Sequence, residues 1–88
     1  MQHPRNIVGP QIRAIRNSCG LTQPALVAKC NLLGWGISRE TLAKIEAQIR
    51  WVADFELVCL AKALKVSTPD LRQKGDLVKV IKPFLKIG

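Results

Sequence analysis

The stretch SRETLAKIE, Ser38 to Glu46, sets an arginine, a glutamate, a threonine and a lysine at positions 39, 40, 41 and 44. Arg39 can donate two hydrogen bonds to the edge of guanine, and Lys44 can donate to the same edge. Glu40 can accept from cytosine, and Thr41 can meet the methyl group of thymine. By itself this set is equally the solvated face of a short helix, because charged residues on a helix exterior are ordinary. Leu42 and Ile45 supply its apolar side. Glu46 follows Leu42 by four residues and shares that side, and Arg16, four residues after Ile12, is a second inward-leaning charge. Each would be costly if buried alone, and both are accommodated if they form one hydrogen-bonded pair bracing two helices.

Other chemistry is thinly represented. Gln23 follows Thr22 at a helix start, where free amides and the positive helix end favour an anion. There is no glycine-rich phosphate loop, no HExxH, no GxSxG and no histidine near a nucleophile in sequence, so the chain reads as a non-enzyme without a cofactor. Cys19, Cys30 and Cys59 are an odd number without CxxC spacing, and the sole histidine, His3, falls in a loose N-terminal arm. The thiols therefore read as small core residues in a reducing compartment, and no metal is expected.

Composition bounds what these residues can belong to. Eighty-eight residues suit one domain with a small core, and a hydrophobic content of 48% argues for packing over disorder. Fourteen Lys and Arg against six Asp and Glu give a formal charge of +8. The resulting positive field makes nucleic acid the first partner to expect and an anionic membrane the second. No apolar run of about 18 residues occurs, and MQHPRNIVGPQIR lacks the apolar core of a secretory signal. The expectation is a cytoplasmic protein with no membrane association.

Helical spacing supplies the elements that must position the candidate residues. Ile12, Ile15 and Cys19 at i, i+3, i+7 mark the inward stripe of a first helix, with Pro10 in its first turn and Gly20 at its end. Thr22 caps a second helix over roughly 23–30, with Leu26, Val27 and Cys30 inward. NLLGWGI, 31–37, reads as a connection carrying Trp35 as a lid on the core. Ser38 caps the third helix, 38–47, and Asp54 a fourth, with Leu57, Ala61 and Leu64 in register and Phe55 and Val58 beside them. Ser67 and Asp70 form a capping-box-like pair that starts a short fifth helix, and the tail KGDLVKVIKPFLKIG alternates apolar and basic residues.

The runs GLTQPALVAKC, ISRETLAKIE and ELVCLAKALKV together resemble the helix-turn-helix domain of the phage repressor and Cro type, the XRE family, over residues 9 to 71. The family pattern runs GLSQ, a helix, a turn, VSRSTISRIE, a linker and LAKALGV. The resemblance implies an all-α, five-helix repressor-like domain over 9–72, preceded by an N-terminal arm, 1–8, and followed by a tail, 73–88, as candidate dimerisation segment. One departure is visible: NLLGWG lengthens a connection that is a tight turn in the family.

The resemblance further implies that the third helix lies in the major groove of double-stranded DNA, with Arg39, Glu40, Lys44 and Thr41 at base edges. Gln23, Ser38, Arg50 and Arg13 would meet phosphates. It also supports Arg16 and Glu46 as a structural ion pair, since family members often link these positions. The implied function is a bacterial or phage transcriptional regulator, a repressor rather than an activator, binding as a homodimer. The alternative is an antitoxin or other interaction module that holds a protein partner through the tail.

Overall fold

Three helix starts follow directly from side chains that satisfy free backbone amides. Thr22 accepts from the amide of Ala25 at 3.2 Å and Ser38 from that of Thr41 at 3.1 Å, each as the residue before a helix. Asn6 does the same for the first helix, its Oδ1 accepting from Val8 at 3.1 Å and Gly9 at 2.8 Å. In a computed structural model the described residues are 3–72, and they form four α-helices: α1, Gly9–Ser18; α2, Gln23–Leu32; α3, Arg39–Glu46; and α4, Asp54–Leu64. Residues 73–88, on which the dimerisation segment and the tail-borne protein contact were placed, lie outside the described residues.

The helices enclose one core. Ile12, Leu26, Leu42, Ile45, Leu60 and Leu71 are fully buried, and each such side chain contributes on the order of 1.5–3 kcal/mol by leaving water. Packing runs from α2 to both α3 and α4, and from α1 to α3 and α4. Trp35 lies half-buried against this core. Among the described residues no helix is long and apolar enough to cross a membrane.

Several elements differ from the sequence-based expectation. The expected fifth helix is a single 3-10 turn, Thr68–Leu71, closed by Asp70 accepting from the Ser67 amide at 3.0 Å and its hydroxyl at 2.8 Å. Asp54 is the first residue of α4 rather than its cap. The carboxylate of Glu56 instead accepts from the amide of Ala53 at 3.0 Å. Phe55 and Val58 are exposed, and α4 turns Glu56, Leu60, Ala61, Ala63 and Leu64 inward. Cys19 is exposed because α1 ends there; the inward position one turn earlier belongs to Arg16.

The connection between α2 and α3 is also shorter than its sequence suggested, because α2 continues to Leu32. Gly34 makes the reversal with φ of +97°, a conformation costly for a residue with a Cβ. Asn31 then ties the connection by donating from Nδ2 to the carbonyls of Trp35 at 2.8 Å and Ile37 at 3.2 Å. The lengthened link is thus built into the fold, with Ile37 buried at its end.

Arg5 and Asn6, in the expected loose arm, are equally well tied. Asn6 Nδ2 donates to the carbonyls of Ile45 at 3.0 Å and Arg50 at 2.9 Å. The Arg5 amide donates to the carbonyl of Gln48, and the Gln48 side chain returns a bond to the carbonyl of Asn6, both at 2.9 Å. This lacing draws the start of α1 onto the end of α3. The approach is so close that a Cβ on Gly9 would sit 2.3 Å from the carbonyl oxygen of Ile45, which only glycine avoids.

Candidate nucleic-acid interface

The candidate surface is built around the buried end of α3. Arg16 grips Glu46 with two prongs, Nε to Oε2 at 2.8 Å and Nη2 to Oε1 at 3.0 Å. Its remaining Nη1 donates to the carbonyl of Leu21 at 2.8 Å, so one guanidinium joins α1, α3 and the α1–α2 connection. Both side chains are almost fully enclosed, at 10% and 4% exposure. The hydrogen bond to Glu46 raises the Arg16 pKa against the opposing effect of burial, so the guanidinium stays charged across the physiological range.

From this pair a chain of hydrogen bonds leads outward. Glu46 Oε1 also accepts from Gln23 Nε2 at 3.1 Å, and Gln23 Oε1 accepts from Arg39 Nη1 at 3.1 Å. Gln23 is the first residue of α2 and Arg39 the first of α3. The amide between them therefore fixes the relative position of the two helix starts. Arg39 is exposed, and among the described residues its other guanidinium nitrogens meet no protein acceptor.

The remaining candidates separate into distinct groups. Glu40 and Lys44 are exposed on the same helix as Arg39, and Thr41 is half-buried. Ser38 is exposed, but its hydroxyl is occupied locally, donating to Thr41 Oγ1 at 3.0 Å while accepting from the Thr41 amide. Arg13 is exposed on α1. Arg50 is engaged elsewhere: Nη1 donates to Glu56 Oε1 at 2.8 Å and to the carbonyl of Trp51 at 2.9 Å, and Nη2 to Glu56 Oε2 at 3.1 Å. This second pair holds the Glu56 carboxyl below its ordinary pKa, with the Ala53 amide adding to the effect and burial opposing it.

Sequence reading did not single out Asn6, Asn31, Gln48 or Glu56, although each positions a candidate residue or the connection between them. A signal existed for Asn6, since asparagine a few residues before a proline-bearing helix start is a familiar capping pattern. For Glu56, an acid in the first turn of α4 was the cue.

The class defined by this arrangement is a small all-helical domain of four helices and a closing 3-10 turn among the described residues, with a buried ion pair under an exposed helix start that carries Arg39 and Glu40. Compared with family models, with curated proteins and with solved structures, the chain matches none of them.

Proposed function

We propose that the chain is a sequence-specific double-stranded DNA-binding regulator of the phage repressor and Cro type, acting as a repressor. In this reading α3 enters the major groove and presents Arg39, Glu40, Thr41 and Lys44 to base edges. Gln23 and Arg13 meet the phosphates, with the Ser38 hydroxyl at the same edge. Two copies of the domain bind half-sites about one helical turn apart.

The single observation that carries this reading is the link from the enclosed Arg16–Glu46 pair through Gln23 to Arg39. A solvated surface arginine has no need of a fixed base. One that must meet a base edge gains from a side chain already directed by the protein. The net charge of +8 supplies the long-range attraction to a phosphate backbone. Arg50, gripped by Glu56, acts in this reading mainly by shaping the turn between α3 and α4, and its charge at the DNA is partly offset.

Selection of bound sequences from random duplex DNA tests the proposal, with the wild-type chain and Arg39→Ala each at two salt concentrations. Base readout predicts relaxed preference at one position and a loss of about 1–3 kcal/mol there. Loss of a phosphate contact in Arg13→Ala weakens all sequences alike and lowers the salt slope. Equal affinity for every duplex would overturn sequence-specific reading.

A further inference from the structure

The far end of α2 carries a surface that the DNA-binding reading does not use. Leu32 is 87% exposed and Leu33 is 51% exposed, side by side where α2 ends. Beside them lies a depression of about 200 Å³, lined by Lys29, Leu32, Leu33, Lys62, Ala63 and Lys65. A second depression of about 190 Å³ adjoins it, sharing Lys29, Ala63 and Lys65 and reaching the floor formed by Leu21 and Leu64. Three lysines thus ring two exposed leucines and an apolar floor, and among the described residues no carboxylate lines either depression. Solvent-facing leucines at a helix end that could have carried polar residues without cost to the core are a signature of a contact surface.

We propose that this face docks an acidic amphipathic helix of a protein partner, its apolar side chains seated in the two depressions and its carboxylates on Lys29, Lys62 and Lys65. Charge selects this occupant. The chain's own residues 73–88 carry Lys74, Lys79, Lys82 and Lys86 against Asp76, a charge of the same sign as the ring. A second copy brings a net charge of +8 to the same lysines. DNA offers phosphates to the lysines and nothing to the leucines. A bilayer is a broad surface, whereas these are two shallow depressions of about 200 and 190 Å³, which suit the apolar side chains of a docked helix.

Location makes the contact compatible with the proposed interface. Gln23 stands at the start of α2 and Leu32 at its end, nine residues along, which is about 13 Å of helix. A partner seated at Leu32 and Lys29 therefore leaves the Gln23–Arg39 edge open. The docking face is independent of the DNA reading, and its test uses no DNA in the primary measurement.

The test titrates the full chain with a synthetic helix-forming peptide bearing leucines at i, i+3 and i+7 flanked by glutamates, and with a counterpart in which every glutamate is glutamine. Backbone amide shifts and calorimetry are read together. The expected result is saturable binding of the glutamate peptide, with shifts centred on Lys29, Leu32, Leu33, Lys62 and Lys65, and affinity for the glutamine peptide lower by on the order of tenfold. The double variants L32S/L33S and K29E/K62E, all surface changes with the wild-type melting temperature as control, each lose on the order of tenfold in binding. Equal binding of the two peptides, no binding, or shifts centred on Trp51 and Phe55 would overturn the proposal. So would tighter, leucine-dependent binding to phosphatidylglycerol vesicles than to the peptide, which would assign the face to a lipid surface.

Discussion

The Arg16–Glu46 and Arg50–Glu56 pairs reach the same closest distance, 2.8 Å, each with two prongs, Nε and Nη2 in the first and Nη1 and Nη2 in the second, yet they act over different lengths of chain. Arg16 and Glu46 are 30 residues apart and both enclosed, so α1 cannot dock on α3 without bringing them together. Arg50 and Glu56 are six residues apart, and 34% of the Arg50 side chain remains exposed. One pair therefore closes the fold, and the other shapes a local turn at the start of α4. Similar chemistry differs in consequence because Arg16, stranded in the core without Glu46, has no water to turn to, whereas Arg50 without the buried Glu56 does.

The largest expected effect breaks the enclosed pair. Glu46→Ala leaves the Arg16 guanidinium buried with only the Leu21 carbonyl, and should lower unfolding free energy by about 3–5 kcal/mol in urea denaturation. A loss no greater than that of the equivalent change at Glu56 would erase the distinction between the pairs. Next comes Gly9→Ala, which forces a methyl group against the Ile45 carbonyl and pushes α1 off α3. It should cost about 1–3 kcal/mol without removing any charge. If the variant matches wild type in the same assay, the close approach of α1 and α3 is not required for stability.

Smaller effects sharpen the other side of the comparison. Glu56→Ala should cost about 1 kcal/mol, the upper end for a pair whose arginine is one-third exposed. Its pH signature is directional. The Glu56 carboxyl is held below its ordinary value of 4.5, so its stabilisation is fully present above that pH and is lost as pH falls through the lower folded value. Glu56→Gln should therefore narrow its stability deficit relative to wild type as the pH drops from neutral to about 3. A deficit independent of pH would show that the pair contributes through shape alone.

Local signals in the sequence were legible where the physics is local. Thr22 and Ser38 bond amides three residues on, and Ile12, Leu26, Leu42 and Ile45 fall on helical stripes, so spacing alone exposed them. The inward face of α4 was not legible in full, because Phe55, Leu57, Val58, Leu60 and Leu64 surround the helix with apolar residues and leave periodicity little to distinguish. The bonds by which Asn6 and Gln48 tie the start of α1 to the end of α3 were hidden for a different reason: they span 39 to 44 residues, and no short-range pattern encodes them, although the local capping by Asn6 left a signal. At the candidate interface, residue types pointed to Gln23 and Arg39 separately. Only the fold reveals that each bonds the other.

The three thiols lie at three depths, with Cys19 exposed, Cys59 half-buried and Cys30 enclosed. Burial first, and then the neighbouring Cys59, push the Cys30 thiol up to about 12, so in the folded protein it carries almost no thiolate at neutral pH. Alkylation of Cys30 must therefore wait for α2 and α4 to part, while Cys19 reacts without such an opening. A timed exposure to iodoacetamide, resolved site by site, becomes a clock for breathing of the core, with the outer thiol as its internal zero.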